Sequence, residues 1–327
     1  MQPFDYAKAQ DAASAIAHAG GAQHPAFIAG GTDLMQLMKE GAAAPHQLID
    51  INALPFTEIS VGPDGLRLGA LARMSDVADH AGVREQFPAI AEALLASASP
   101  QVRNAASIGG NLLQRTRCTY FRDPATPCNK RAPGTGCSAL EGDNRLHAIF
   151  GGSDACVATH PSDFAVALVA FDAVLEVEGP SGRRRIAMAD FHRVPGTAPE
   201  RDTVLEPNEL IVGVEVPASA AARRSHYLKV RDRASFEFAL VSVAAGLEVE
   251  DGTVREARLA AGGVGTKPWR LPAVEQALSG RPPGAASFQE AAERAAEGGQ
   301  PLAHNAFKVE LLRRVVRRAL ETTGGAA

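Results

Sequence analysis

The stretch Ala26-Phe27-Ile28-Ala29-Gly30-Gly31-Thr32-Asp33-Leu34 governs how this chain is read. Residues 26–29 form a compact apolar run that predicts a buried strand. Two glycines stop it, and residues 34–39 then carry a helical pattern. A strand, a glycine turn and a helix in that order present backbone N–H groups to an anion. Glycine permits close approach because it has no Cβ. The run is neither GxGxxG nor a Walker A loop, and Thr or Asp before a helix is also an ordinary cap. Ser107-Ile108-Gly109-Gly110-Asn111 reads as a second turn of the same kind. Two such turns in one domain suit the two ends of a pyrophosphate, and two ordinary strand-to-helix turns fit the same residues.

Around these turns, strands and helices follow one another. Residues 11–19 read as an Ala-rich helix stopped by Gly20-Gly21, and 47–51 as a strand. Gly62-Pro63-Asp64-Gly65 is a hairpin turn between strands at 59–61 and 66–68. Residues 89–98 form a helix, and Ser162 caps another over 163–171. Strands at 174–178 and 184–187 flank Gly179-Pro180-Ser181-Gly182, and a further strand spans 210–216. A small-residue stretch at 217–222 marks a domain boundary. Strands at 227–230, 239–249 and 254–261 follow, then helices at 273–278, 288–296 and 307–322. Strands followed by helices predict an α+β second domain. Residues 322–327 read as a short flexible tail.

Composition narrows the function. The chain has 327 residues, 46% hydrophobic and 21% charged, with a net charge of −4. That length suggests more than one domain, and the apolar fraction is ample for real cores. A slightly acidic balance argues against nucleic-acid binding. Arg183-Arg184-Arg185 reads as an exposed strand face. No run of about 18 apolar residues is present, so no transmembrane helix is expected. The N-terminus lacks a charged region and an apolar region of its own, so no signal peptide is expected.

All four cysteines, Cys118, Cys128, Cys137 and Cys156, lie in one segment. Regular periodicity fails across residues 113–159, which prolines and glycines punctuate. So long a loop in a compact domain is more often functional. Paired C-x2-C knuckles, the usual mark of structural zinc, are absent. Two disulfides, an iron–sulfur cluster, a zinc site or unrelated thiols all remain compatible with the spacing. Arg115, Arg117, Arg122, Lys130 and Arg131 surround these cysteines. Cations would compensate a thiolate-rich group, or form a solvated loop surface.

Taken together, these motifs resemble the FAD-binding medium subunit of the xanthine dehydrogenase, or molybdenum hydroxylase, family. The first turn, the run from Arg103-Asn104 through Leu112, and Ser162-Asp163 carry the likeness. Tyr227-Leu228-Lys229-Val230-Arg231-Asp232-Arg233, Gly262-Gly263-Val264 and Pro268-Trp269-Arg270 extend it to the C-terminal region. The cysteine loop is most similar to that of the FAD subunit of periplasmic aldehyde oxidoreductases, through Gln114-Arg115-Thr116-Arg117-Cys118, Pro127-Cys128-Asn129-Lys130-Arg131, Gly136-Cys137 and the run from Ala155-Cys156 to Asp163.

The resemblance implies an α+β fold in two parts. Residues 1–218 would be a two-lobed PCMH-type FAD-binding domain, with lobes at about 1–54 and 55–218 and a [4Fe-4S] loop over 114–160. Residues 223–327 would be a CO-dehydrogenase-flavoprotein-like C-terminal α+β domain. Phe27, Ile28, Ala29, Gly30, Gly31, Thr32, Asp33 and Leu34 are expected to wrap the FAD pyrophosphate. Ser107, Gly110, Asn111 and Gln114 are expected to form the second wall of that cleft. Asp163 is expected to hydrogen-bond the cofactor, in addition to capping its helix, and Lys229 to reach the flavin side. Cys118, Cys128, Cys137 and Cys156 would ligate the cluster.

No nucleophile–base pair is visible, and His160, before Pro161, reads as structural. The implied role is therefore electron transfer in a heterotrimer. A large subunit would hold the molybdenum cofactor and hydroxylate an aldehyde. A small subunit with [2Fe-2S] clusters would pass electrons to FAD here, for delivery to an external acceptor. A subunit of a xanthine or aromatic hydroxylase, a freestanding flavin oxidase and a zinc-stabilised binding module are the rivals. Without a leader the chain reads as cytoplasmic, whereas the resemblance implies periplasmic co-export on a partner subunit's twin-arginine signal.

Overall fold

The computed structural model describes residues 1–325 and has an α+β architecture built on three sheets. The first is parallel, with β1 (Asp5–Lys8), β2 (Pro25–Ile28) and β3 (Gln47–Asp50) in the order β1-β3-β2. Parallel neighbours need crossovers. The helix Ala12–Gly21 supplies one and the helix Leu34–Glu40 the other. Asp11 starts the first helix through a capping box, its carboxylate accepting from Ser14 N–H at 2.7 Å. Because β2 lies at the sheet edge, its apolar run is half-buried and not the buried strand the sequence predicted.

The second sheet is antiparallel. It contains β4 (Ile59–Gly62), β5 (Gly65–Gly69), β6 (Val174–Gly179), β7 (Gly182–Ala187) and β8 (Leu210–Pro217), in the order β4-β5-β8-β6-β7. The hairpins β4–β5 and β6–β7 close on the two glycine-flanked turns read from the sequence. Arg183, Arg184 and Arg185 do stand on an exposed face, paired with Glu178, Glu209 and Glu215 at 2.8, 2.7 and 2.5 Å.

Between β5 and β6 the chain leaves the sheet for short helices and the long irregular segment. Here the expected second glycine turn is corrected. Residues Ile108–Leu112 are helical, capped by the Ser107 hydroxyl, which accepts from Gly110 N–H at 3.2 Å. The preceding element is another helix, Pro100–Ala105, and not a strand.

The third sheet joins β9 (Ser225–Val230), β10 (Val241–Glu250), β11 (Thr253–Gly262) and β12 (Trp269–Arg270) in the order β12-β11-β10-β9. Alternation along β10 separates two cores. Val241, Val243, Ala245 and Leu247 pack under the helices Pro272–Leu278, Ala285–Glu293 and Phe307–Gly324. Ala244 faces the other way, into the core of the second sheet. The helix Asp163–Ala170 lies in that core, and all eight of its residues are buried. The last helix runs to Gly324 and ends on Gly325 at φ 74°, so residues 322–325 are not a flexible tail; the remaining two residues of that reading lie outside the described ones. Among the described residues no helix is long and apolar enough to cross a membrane.

Candidate functional site

The first turn borders a cleft of about 210 Å³. Phe27 through Leu34 form one side of it, and Ser107, Gly110 and Gln114 the other. Gly30 is required by close approach, since a Cβ there would lie 2.0 Å from the Ala105 carbonyl oxygen. Gly31 has φ 66°, a left-handed value that side chains disfavour. Among the described residues, none of the N–H groups of Gly30, Gly31, Thr32, Asp33 and Leu34 donates to a backbone carbonyl. The turn thus offers a row of free donors around a space that side chains are kept out of. Asn111 does not join this wall. Its side chain is buried, with Nδ2 3.3 Å from Met74 sulfur and Oδ1 accepting from the Ser162 hydroxyl at 2.5 Å.

Asp33 faces the cleft but is committed elsewhere as well. Its carboxylate takes Arg117 and Arg122, each at 2.9 Å, and accepts from Arg115 N–H at 2.8 Å. Burial draws the Arg117 guanidinium down to about 10, and Asp33 opposes that fall. One carboxylate therefore ties the glycine turn to the start of the cysteine segment.

Asp163 and Lys229 meet, as a buried pair. Asp163 Oδ2 accepts from Lys229 Nζ at 2.8 Å and from Ser97 Oγ at 3.0 Å, and Oδ1 accepts from Tyr227 hydroxyl at 2.7 Å. Burial and the Asp163 charge push the Tyr227 phenol well above its ordinary value, so it donates as a neutral group. Asp163 does not cap its helix; Ser162 does, accepting from Ala165 N–H at 3.0 Å. Asp163 borders a second space, a chamber of about 260 Å³ that also meets Arg117, Cys118, His147, His160 and Phe238. Lys229 stands behind Asp163. The residues expected to hold one cofactor thus fall into a cleft and a chamber.

The cysteine segment is nearly free of regular structure, its one helix being Thr119–Arg122. Yet all four cysteines border one small cavity, as free thiols. Cys128 and Cys137 pair as an antiparallel bridge, and Cys128 packs with Leu37 and Phe121. Burial pushes the Cys118 thiol up to about 12 and raises Cys156, which Lys130 opposes. Among the described residues no three His, Cys, Asp or Glu side chains converge as a single metal ion requires.

The surrounding cations do structural work. Arg131 donates to the carbonyls of Tyr120 at 2.8 Å and Phe121 at 2.6 Å. Arg115 holds Asp202 at 2.6 Å, and Lys130 pairs with the same carboxylate. Burial would raise the Asp202 carboxyl, but these two cations keep it below its usual range. Asp202, Ser97 and His147 were not read from the sequence. Each acts through a contact with a distant segment, and no spacing signals that.

His160 and His192 lie ring against ring, their centroids 4.1 Å apart and their planes tilted by 56°. His192 Nε2 pairs with the Leu112 carbonyl at 2.9 Å. Burial lowers His192 to about 4 and His160 well below 6.5, so both are neutral.

The profile of the FAD binding domain in molybdopterin dehydrogenase matches residues 2–219, and that of the CO dehydrogenase flavoprotein C-terminal domain matches residues 226–323. The chain is 47% identical to the aldehyde oxidoreductase FAD-binding subunit PaoB of Escherichia coli K12, over 98% of each chain. It is 28% identical to the carbon monoxide dehydrogenase medium chain of Hydrogenophaga pseudoflava, over 97% of this chain and 96% of that one. Among solved structures, carbon monoxide dehydrogenase from Hydrogenophaga pseudoflava superposes with a TM-score of 0.77 at 26% identity, covering 99% and 98% of the two chains. Quinoline 2-oxidoreductase from Pseudomonas putida 86 shares the fold, with a TM-score of 0.77 at 22% identity. The chain belongs to the FAD-binding subunits of the molybdenum hydroxylase family.

Proposed function

We propose that this family member is the FAD- and [4Fe-4S]-bearing electron-transfer subunit of a molybdenum-cofactor aldehyde oxidoreductase. Its partners on this reading are a molybdenum large subunit and a [2Fe-2S] small subunit, in a heterotrimer. The aldehyde assignment is supported by the extent of identity with the Escherichia coli aldehyde oxidoreductase subunit, which spans 98% of both chains.

The residues fit the flavin cofactor. FAD needs donors for its pyrophosphate and room for a ring system. The free N–H row at Gly30–Leu34 offers the first, beside Ser107 and Gly110, and Arg117 adds positive charge nearby. The chamber beside Asp163 offers the second. When bound, FAD takes up two electrons and releases them singly or in pairs. The chain's own part is placement. Asp33 holds the glycine turn against Arg117 and Arg122, and Ser97, Tyr227 and Lys229 fix the carboxylate of Asp163 at the chamber wall.

The observation that carries the cluster is the cavity itself. Four free cysteines from positions 118–156 border one space without converging on a single-ion geometry. A cluster of four irons is wider than one ion and spreads its four thiolates, which suits that arrangement better than zinc does. Lys130 beside Cys156 adds positive charge for a thiolate-rich group.

The test is a visible spectrum of the purified complex, with flavin, iron and sulfide measured. One FAD, and about four irons beyond those of the small subunit's [2Fe-2S] clusters, are expected per chain of this subunit from the cluster stoichiometry. Zinc without flavin would replace the reading with a binding module. If the chain alone reduced its flavin with an aldehyde, it would be a freestanding oxidase and not a subunit. Rapid turnover of a purine or aromatic heterocycle by the complex, with none of aldehydes, would move the substrate class.

A further inference from the structure

The cysteine cavity and the chamber share a wall, and Cys118 stands in it, bordering both spaces. On the chamber side His147 places Nε2 3.2 Å from Cys118 Sγ. The imidazole is 5% exposed, and the flavin reading gives it no task.

Its main chain is pinned from several directions. The His147 carbonyl accepts from Asn305 Nδ2 and from Lys308 Nζ, both at 3.0 Å, and its N–H donates to the Asn144 carbonyl at 3.0 Å. Asn144, Asn305 and Lys308 are each fully buried. Lys308, from the last helix, also donates to the Gly263 carbonyl at 2.6 Å. Buried polar groups in that number around one residue form a support held in place by the second domain, and the ring they carry is aimed at one sulfur.

The tautomer follows from the sulfur. A neutral imidazole has one N–H, and His147 Nδ1 is buried without a partner. A thiolate bound to iron has no proton to give, so a hydrogen bond between the two requires the proton on Nε2.

We propose that His147 is a positioning residue for the cluster: it donates from Nε2 to the Cys118 sulfur, fixes the ligand that faces the chamber, and raises the reduction potential of the cluster. The inference rests on the cluster reading of the preceding section. Reduction adds one electron, whose charge spreads onto the sulfurs. A donor already aimed at one sulfur favours the reduced form over the oxidised one, and no proton moves in the step.

The experiment uses the purified holo-complex, titrated potentiometrically and followed by electron paramagnetic resonance. Wild type, His147→Gln and His147→Leu are compared, with iron and flavin measured in each. The Leu variant is expected to keep its iron and flavin and to show a lower cluster potential. The Gln variant, whose amide can donate, recovers at least half of that shift. Equal potentials in the Leu variant and wild type would overturn the inference. A measurement on the wild type keeps the test open even where the Leu variant does not assemble. With 15N-histidine incorporated, the reduced cluster is expected to show a 15N hyperfine coupling, and its absence overturns the inference. A wild-type complex with no iron beyond that of the small subunit's [2Fe-2S] clusters would remove the cluster reading and this inference together. That further iron present with neither shift nor coupling would remove this inference alone.

Discussion

The glycine turn at 30–34 and the cysteine segment at 114–160 are built by opposite means. The turn sits between a regular strand and a regular helix, and its shape depends on what is missing, a Cβ at Gly30 and backbone acceptors for five N–H groups. The cysteine segment has almost no regular structure and depends on what is added. Arg131 grips three carbonyls, those of Tyr120, Phe121 and Thr126, Asn129 accepts from Gly136 N–H at 2.8 Å and donates to the Ala155 carbonyl at 3.1 Å, and Asp202 gathers two cations. A backbone-built site fails when a side chain is introduced; a side-chain-built site fails when one is removed. The two are not independent, because Asp33 belongs to both.

The sharpest separation should come from Cys128→Ser. We expect the complex to lose about four irons per chain of this subunit, keeping its flavin and the small subunit's [2Fe-2S] iron, as read by iron analysis and the flavin spectrum. Full iron content with normal assembly would sink the cluster and the division of labour with it. Asp33→Ala is expected to break the comparison, by damaging both regions at once. Leaving Arg117 without its carboxylate, and Arg122 with Glu40 alone, should cost about 3 kcal/mol, read by denaturant unfolding, and both flavin and iron should fall. Loss of only one would show that the carboxylate serves a single region. Gly30→Ala should act on the turn alone, at about 2 kcal/mol of strain, so flavin binding weakens by more than tenfold while iron is unchanged. Wild-type flavin affinity in that variant would mean that the close approach to Ala105 is not needed.

The smallest effect is one of pH, at the seam between the regions. His192 bonds the Leu112 carbonyl and packs at a tilt against His160 of the cysteine side. Burial holds His192 at about 4 against an ordinary 6.5, and unfolding restores the ordinary value. Between those two pH values the unfolded chain binds the extra proton, so stability falls as pH drops through the window and is flat above it. His192 should contribute about 1 kcal/mol per pH unit to the slope, beside the lowered His160 and His147. His192→Phe should reduce the slope by that share, and an unchanged slope of unfolding temperature against pH would reject the assignment.

How far the sequence reached depends on whether a residue's role was local. Gly62-Pro63-Asp64-Gly65 and Gly179-Pro180-Ser181-Gly182 declared their hairpins because turn chemistry is set within four residues. Ser162 declared its helix for the same reason. Ser107-Ile108-Gly109-Gly110-Asn111 misled, because two glycines disfavour a helix unless tertiary packing imposes it. Here a Cβ on Gly109 would lie 3.1 Å from Ala70, so the helix lies tight against the chain just past the end of β5. The strand Asp5–Lys8, mostly exposed, had no apolar pattern to show, and the helices Met74–Asp79 and Ala81–Gln86 are too short for one. In the site, the turn residues were legible as a motif. The burial of Asn111, the Asp163–Lys229 pair and the contact of His147 with Cys118 were not, since each joins segments far apart in the chain.

The helix Asp163–Ala170 has a consequence for how the protein is made. Its eight buried residues need partners from the third sheet as well as the second, including Tyr227, Ala244 and Ala260. Those residues follow the end of the helix by 57 to 90 positions, roughly 3 to 18 seconds at ordinary elongation rates. In the last part of that interval, once β8 has been made, the N-terminal part is complete in sequence but cannot seal its own interior. The wall that Asp163 contributes to the chamber is set only when the last sheet docks. Synthesis therefore leaves a timed opening around the chamber, and it closes from the C-terminal side.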